Sequence, residues 1–412
     1  MYLSREEEAM LDGERGRAAE IAMKVLVKLG EAYNAERMIR VRSAHLVSCV
    51  YNVVYDAGID IGERMVKLKA RFKVPTTLCT GSVPLEEPGM FHVPKDWVEK
   101  QFRLGKLYEL MGAIPIWSCI PYWHVNVPRF GENIAWGESN CVSYVNSVIG
   151  ARTNRYSSYV ELCAAITGRV PEMGLHVSEN RKGQVLVKLK DLELKRFTER
   201  DYGLLGYALG LAVVNEIPVI TGIPKCVTKN QLRVMGAAAA SSGAIALYHV
   251  VGVTPEAHTL ERAFHNDKPE EKIEIGKREL KEAYDELCTA TEENVDLVAL
   301  GCPHYSIEQI AKVASLLEGK KVHPNTELWI FTDVISAYLA KRMGYYDIIK
   351  VAGGKVMIGS CAMNGPTFVC GFKTVVTDSA KTAHYVPMQA KAGAFYTDLK
   401  ECIEIAIRGK LR

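Results

Sequence analysis

The chain has 412 residues, more than one hydrophobic core usually holds, so we expect two or three lobes of about 150 residues each. Its composition, 48% hydrophobic and 24% charged, is that of an ordinary globular protein. The net charge is +3 with both signs mixed along the chain, which argues against nucleic-acid or membrane binding. A small anionic substrate remains compatible with this charge, because a few local cations suffice to hold it.

The N-terminal stretch MYLSREEEAMLDGERG is acidic and helical rather than a signal peptide. The longest uncharged stretch, residues 234–255, is interrupted by glycine and serine. It therefore predicts a small-residue helix and a buried strand rather than a membrane span. We expect a cytoplasmic protein.

Cysteine usage excludes several kinds of site. The eleven cysteines are an odd number, and no two of them form a C-x-x-C pair. This argues against a disulfide framework, a zinc ribbon and a ferredoxin-type cluster. Any metal site must draw its ligands from distant parts of the chain.

The second helix is predicted over 17–29. Ile21, Val25 and Leu29 form its expected apolar face, and Gly30 is its expected end.

Three later regions are harder to interpret. Residues 75–128 are rich in proline, glycine and tryptophan, which predicts short strands and long loops. Residues 131–168 carry a polar, asparagine-rich helical pattern that faces solvent or lines a polar cavity. The charged stretch 266–293 is expected to be a solvated loop and a surface helix.

The last third predicts a regular alternation of strands and helices. An apolar strand over 295–301 precedes a helix that Ser306 and Gln309 cap. The stretches ELWIFT and KVMIGS are further strands, separated by another helix. This rhythm predicts parallel strands with right-handed crossovers. Cys302 and Cys361 then lie at the carboxyl edge of one sheet, where open α/β sheets bind ligands.

Cys119, Cys302 and Cys361 each follow an apolar, strand-like run. Three thiolates can hold three irons of a cubane cluster and leave the fourth iron open as a Lewis acid. The alternative is that each is an inert buried thiol. Other cysteines also follow apolar runs, so spacing alone does not select these three.

Other candidate groups are acid–base or charged residues. In GESN, the Glu138 carboxylate stands beside the Ser139 hydroxyl and could hold or move protons, or the two could simply cap a helix. Lys381 follows the strand TVVT and could bind a carboxylate or phosphate, or be solvated. His45 is read as a structural residue. Neither a G-x-G-x-x-G after a strand nor a P-loop is present, so nucleotide binding is not supported.

Several of these stretches together resemble the large subunit of aconitase X over nearly the whole chain. They are MYLSREEEAMLDGERG, RSAH, PTTL, WGES, VNSVIGARTNR, ALGCPH, GSCAMNGP and DSAKTAHY. The resemblance implies an α/β fold of several three-layer α/β/α lobes with parallel sheets around a central cleft. We expect interleaved lobes over about 1–130 and 131–290, and a third over 291–412.

The resemblance is to the archaeal type and implies a hydro-lyase. The expected reaction is dehydration of (R)-5-phosphomevalonate to trans-anhydromevalonate 5-phosphate, in the archaeal mevalonate route to isoprenoids. The family pattern implies a [4Fe-4S] cluster on Cys119, Cys302 and Cys361, with its open iron taking the substrate hydroxyl.

The resemblance also implies catalytic and substrate-binding roles for Glu138, Ser139 and Lys381. Further expected substrate contacts come from two strand-end loops, namely Ser48, Cys49, Leu78, Cys79 and Thr80. Ser48 and Cys79 depart from the glycine and asparagine that family members often carry at these places, so the contacts there could differ.

The family takes a catalytic serine from a swivelling domain, and no segment of this chain resembles one. The resemblance therefore implies a heterodimer with a small subunit, and a large chain that is inactive alone. The rival within the family is dehydration of cis-3-hydroxy-L-proline. Rivals of other classes are a non-catalytic iron–sulfur protein and a metal-free α/β enzyme whose cysteines only pack.

Overall fold

The computed structural model describes residues 1–91, 93–362 and 371–412. Within these ranges the strands form four sheets, three of which are entirely parallel. The motif GSCAMNGP, which begins at Gly359, is described only as far as Ala362, and its remaining residues lie outside the described ranges. No helix in those ranges is long and apolar enough to cross a membrane.

The first lobe combines helices with two small sheets. Its helices are α1 (Arg5–Leu11), α2 (Arg17–Ala32), α3 (Tyr51–Lys67), α4 (Lys95–Met111), α5 (Ser139–Tyr144) and α6 (Ser158–Thr167). A π-helical turn over Val145–Ile149 extends α5. Its strands are β1 (Met38–Arg40), β2 (Ala44–Leu46), β3 (Thr76–Leu78), β4 (Ala135–Trp136) and β5 (Arg169–Pro171). The sheet β3-β2-β4 is parallel, and β1 pairs with β5 antiparallel.

The predicted end of α2 was wrong, and its predicted apolar face was right in part. Ile21 and Leu29 pack partly buried against the core, but the fully buried side carries Ala22, Met23 and Leu26, and Val25 is 40% exposed. Gly30 lies inside the helix rather than ending it. A Cβ there would approach the Pro171 side chain to 3.0 Å, so glycine permits close packing of β5.

The second lobe is a four-stranded parallel sheet of order β8-β7-β6-β9 with helices. Its strands are β6 (Val185–Leu189), β7 (Pro218–Thr221), β8 (His249–Val250) and β9 (Glu271–Ile275). Its helices are α7 (Glu199–Val213), α8 (Lys229–Ser242), α9 (Leu260–Ala263) and α10 (Lys277–Leu287). The small-residue helix and the following buried strand predicted for 234–255 are confirmed as α8 and β8. The charged stretch contains the predicted surface helix, α10, but also an edge strand, β9, that the sequence did not predict.

The third lobe is a five-stranded parallel sheet of order β12-β11-β10-β13-β14. Its strands are β10 (Leu297–Tyr305), β11 (Glu327–Thr332), β12 (Lys355–Ile358), β13 (Thr374–Thr377) and β14 (Gly393–Tyr396). Its helices are α11 (Ile307–Leu317), α12 (Val334–Arg342), α13 (Tyr345–Ala352), α14 (Ala380–Ala390) and α15 (Leu399–Arg408).

Alternate residues of β10 enter different cores, which makes this lobe a three-layer structure. Leu297 and Ala299 join the core that contains α7, α8 and α14. Val298 and Leu300 join the core that contains α11, α13 and α15. Both sheet faces are covered, which explains why these strands are continuously apolar. The predicted α/β architecture with parallel-sheet lobes is confirmed.

Strand pairing joins distant parts of the first lobe. Ala44 pairs with Ala135, and Ile39 pairs with Val170, so both small sheets take strands from either side of residue 130. The predicted lobe limits near residues 130 and 290 stay predictions.

Candidate active site

A cavity of about 470 Å³ lies where the first and third lobes meet. The three predicted metal ligands, Cys119, Cys302 and Cys361, line it. The predicted substrate-binding residues that also line it are Cys79, Thr80, Glu138, Ser139 and Lys381. A larger cavity of about 730 Å³ lies beside Tyr305 and contains none of the predicted site residues. The chemistry is therefore concentrated in the smaller cavity.

The three thiols reach the cavity from separate parts of the chain. Cys302 lies near the carboxyl end of β10, and Cys361 follows β12 in the same sheet. Cys119 comes from a loop of the first lobe, and its Sγ accepts a hydrogen bond from the His304 backbone N–H at 3.2 Å. A further contact between the lobes is the bond from Gly81 N to Gly359 O at 2.6 Å.

The thiols differ in how readily they ionise. A hydrogen bond from Cys361, followed by the Lys381 charge, outweighs burial and lowers the pKa of Cys302 to about 6. Burial raises the pKa of Cys119 well above its ordinary value. Within the described ranges, no group of three or more His, Cys, Asp or Glu side chains is arranged to hold a single metal ion. A cluster differs from a single ion because each thiolate binds a different iron, and soft thiolates are the ligands that iron–sulfur clusters use.

Glu138, Ser139 and Lys381 form one hydrogen-bonded group. Lys381 Nζ lies 3.0 Å from Glu138 Oε1 and 2.9 Å from Ser139 Oγ. The Ser139 hydroxyl lies 3.3 Å from the same carboxylate oxygen and donates to it. Glu138 also caps α5, since its Oε2 accepts from Cys141 N at 2.8 Å. The capping role and the site role are therefore compatible.

The electrostatics of this group favour the ionised pair. Burial raises the pKa of the Glu138 carboxyl, but the charge and hydrogen bond of Lys381, with backbone N–H groups, lower it to about 2. Burial lowers the pKa of Lys381, but Glu138 and Cys302 more than reverse this and raise it. The side chains of Lys381 and Glu138 are only 13% and 14% exposed, so water screens the pair little.

Three predicted substrate contacts do not line the cavity. Ser48, Cys49 and Leu78 are all fully buried. The Cys49 thiol donates to Leu46 O at 3.1 Å, below the strand ends that support the cavity. Cys79 and Thr80 do reach the cavity wall, so the loop after β3 contributes predicted contact residues to the cavity, whereas Ser48 and Cys49 after β2 do not. Substrate contact by any of these residues stays a prediction.

The sequence reasoning missed several residues of the cavity wall. Tyr385 and Gln389 follow Lys381 at intervals of four on α14, and this spacing could have placed them on the same helix face. Ser157 and Ser158 open α6 beside the cavity, and their side-chain type and place before a helix were the available signal.

Glu161 supports the cavity wall from beneath. It is fully buried on α6, and its Oε2 accepts from Val47 N at 2.8 Å. Burial raises the pKa of this carboxyl well above its ordinary value. Gly137 lies against it so closely that a Cβ there would come within 2.5 Å of Glu161 Oε1. Glu161 thus holds the segment at Val47 by a hydrogen bond and packs closely against Gly137.

The lobes and this cavity define an aconitase-like protein, and the chain belongs to the aconitase X family. The family's first domain matches residues 1–179, its second domain matches 183–285, and its third domain matches 295–408.

Relatives that match nearly the whole chain support this assignment. The chain is 39% identical to the phosphomevalonate dehydratase large subunit of Methanocaldococcus jannaschii, over 98% of this chain and 100% of the relative. It is 35% identical to the cis-3-hydroxy-L-proline dehydratase of Pseudomonas aeruginosa, over 98% of this chain but 70% of the relative. The crystal structure of Thermococcus kodakaraensis aconitase X in its holo form superposes with a TM-score of 0.89 at 35% identity, covering 98% of this chain and 100% of that one.

Proposed function

We propose that this chain is the large subunit of an iron–sulfur hydro-lyase that dehydrates (R)-5-phosphomevalonate to trans-anhydromevalonate 5-phosphate. The observation that carries the proposal is one cavity lined by three thiols and by the Glu138–Ser139–Lys381 group. The substrate is inferred from relatives such as the Methanocaldococcus protein. The product would serve isoprenoid synthesis, and a cytoplasmic location stays a prediction.

The donor set fits an iron–sulfur cluster. Cys119, Cys302 and Cys361 are soft ligands on one cavity wall, and the Cys302 thiol has a lowered pKa that favours its ionised, metal-binding form. We assign these three residues to a [4Fe-4S] cluster. When bound, such a cluster supplies a Lewis acid for the leaving hydroxyl through its open iron.

Lys381 is placed to bind the substrate carboxylate, and this binding would change Glu138. Lys381 now neutralises Glu138 at 3.0 Å and holds its pKa near 2, where a carboxylate is a weak base. A substrate carboxylate that shares Lys381 would weaken this neutralisation, while burial would continue to raise the pKa of Glu138. Glu138 therefore becomes more basic when the substrate is bound, and the Ser139 hydroxyl, which donates to it, is placed to pass it a proton.

The phosphate of the proposed substrate needs its own contacts. Among the described residues of the cavity wall, Lys381 is the cationic one. We assign the phosphate to the start of α6, where Ser157 and Ser158 offer hydroxyls and the helix offers backbone N–H groups. Cis-3-hydroxy-L-proline has no phosphate and would leave these donors unused.

A small partner subunit completes the proposed enzyme. Archaeal relatives are named large subunits, which implies a small one. The chain matches only 70% of the Pseudomonas relative, so that protein carries additional sequence on the same chain. We propose that the partner brings a swivelling domain and a catalytic serine.

The test is an oxygen-free assay of water loss by mass spectrometry, with and without the co-expressed small subunit. We expect the pair to dehydrate (R)-5-phosphomevalonate and the large chain alone to be inactive. Turnover of cis-3-hydroxy-L-proline but not of phosphomevalonate would reassign the substrate. Full activity of the large chain alone would refute the two-subunit proposal. A loaded cluster with no turnover of either compound would favour a non-catalytic iron–sulfur protein.

A further inference from the structure

His304 connects the three segments of the chain that carry the thiols. Its backbone N–H donates to Cys119 Sγ at 3.2 Å. Its ring Nε2 lies 2.6 Å from Ser360 O, the carbonyl that directly precedes Cys361. His304 itself follows Cys302 by two residues. Because a carbonyl only accepts, Nε2 carries the proton, and the ring is fixed in one orientation.

Arg233 holds His304 from the opposite side. It lies on α8 in the second lobe, which supplies none of the proposed cluster ligands. Its Nη1 donates to His304 O at 2.9 Å, and its Nη2 donates to Gln309 Oε1 at 2.6 Å. The guanidinium also stands over the Trp123 ring, 5.1 Å from the ring centre. These contacts link the segment after Cys119 to the end of β10, just after Cys302, and to the start of α11.

The charge of Arg233 is unusual for a buried side chain. The residue is 0% exposed, yet among the described residues no carboxylate lies within ion-pair distance of it. The nearest link to one runs through Gln309, whose Nε2 donates to Glu199 Oε2 at 2.6 Å. Burying a charge without a direct partner is costly, so stability alone does not account for an arginine here.

We propose that Arg233 is a positioning residue that, through His304, holds the three thiols in the arrangement that binds the cluster. The proposal rests on the iron–sulfur function proposed above and extends it to a residue of the second lobe. Groups that orient metal ligands in this way typically change metal affinity about 10–100-fold when they are replaced. The unpaired positive charge would also favour the more negative, reduced state of a nearby cluster.

The test compares R233M with R181M in the two-subunit complex, purified without oxygen. Arg181 is a matched control because it is also buried, at 1% exposed, but binds Glu256 and Asn146 and, among the described residues, makes no hydrogen bond or ion pair to the segments that carry the thiols. We expect R233M to lose iron to a chelator about 10–100-fold faster than the wild type and to broaden the electron paramagnetic resonance signal of the oxidised cluster. Its reduction potential should fall.

R181M should lower the melting temperature but keep the wild-type rate of iron loss, signal and potential. R233K keeps the positive charge, so we expect a nearly wild-type reduction potential. Its single ammonium group lacks the planar pair of donors that binds His304 and Gln309 together, so we expect an intermediate rate of iron loss. Equal iron loss in R233M and R181M, or wild-type iron retention and signal in R233M, would overturn the inference alone. A wild-type complex that binds no iron would overturn the proposed function and this inference with it.

Discussion

Replacing Lys381 with methionine tests the electrostatics of the cavity directly. K381M leaves the Glu138 carboxylate buried without its countercharge. The lowering of the Glu138 pKa from 4.5 to about 2 corresponds to about 3 kcal/mol of net stabilisation of the carboxylate. Removing one member of a buried pair typically costs about 3–5 kcal/mol, which agrees in size. We expect K381M to lower the free energy of unfolding by about 3 kcal/mol at pH 7.

The assay measures the thermal unfolding of the cluster-free chain by calorimetry. A loss of about 3 kcal/mol corresponds to a fall in melting temperature of roughly 6–12 °C for a lobe of this size. The sign of the pH dependence follows from the lowered pKa of Glu138. The stabilisation is present above the ordinary value of 4.5 and is lost as the pH falls through about 2, so the difference between wild type and K381M should shrink by roughly half near pH 3.

Two further variants separate the buried pair from a general effect of losing a lysine. K400M removes a lysine that is 75% exposed and paired with Glu404 on the surface, and it should change stability by less than about 1 kcal/mol. The double variant E138Q/K381M removes both buried charges and should recover most of the loss. A wild-type melting temperature for K381M at pH 7, or a double variant as unstable as the single one, would refute the reasoning.

Three other predictions concern the same cavity. Alanine at any of its three proposed cluster ligands should abolish stable iron binding, whereas C402A, a buried cysteine of the α15 core, should bind iron like the wild type in a colorimetric iron assay. E161Q should change the melting temperature little at pH 4 and raise it at pH 7, because above pH 4.5 the Glu161 carboxyl ionises in the unfolded chain while burial keeps it protonated in the folded one; a fall at pH 7 would contradict this. S158A should raise KM for phosphomevalonate several-fold in steady-state kinetics and leave the binding of a phosphate-free analogue unchanged. An equal effect on both compounds would refute the assignment of the phosphate to the start of α6.

The third lobe was predictable because its strands are buried on both faces. Runs such as ELWIFT are continuously apolar, and the capping pair Ser306–Gln309 marks the start of α11. These signals lie in neighbouring residues, so they can be recognised without knowledge of the rest of the fold. The carboxyl edge of that sheet, with Cys302 and Cys361, could therefore be placed from the sequence.

The errors elsewhere come from contacts between distant segments. The sequence predicts Gly30 as a helix end, but the structure packs its backbone against Pro171, more than a hundred residues later. Strand β9 reads EKIEI and lies at the edge of its sheet, where charged side chains are common and an apolar run is not required. The contact of Gly30 with Pro171 leaves no signal in the nearby sequence, whereas β9 leaves only the short alternation of Ile273 and Ile275.

The site was only partly predictable for a similar reason. The sequence pattern indicated cysteines at strand ends but could not choose among them, and the family resemblance made the choice. The separation of Cys79, which reaches the cavity, from Cys49, which faces the core, depends on how β2 and β3 pair. The hydrogen bond of Lys381 to Glu138 joins residues from two lobes, so it required the assembled structure.

The most direct test of the account is electron paramagnetic resonance of the co-expressed pair, purified without oxygen, with and without (R)-5-phosphomevalonate. We predict a signal from an oxidised three-iron form, its loss when iron is restored, and a change in the reduced cluster's signal when the substrate is added. A protein that contains no iron after reconstitution, while the pair still removes water from phosphomevalonate, would contradict the central claim that Cys119, Cys302 and Cys361 hold a catalytic cluster.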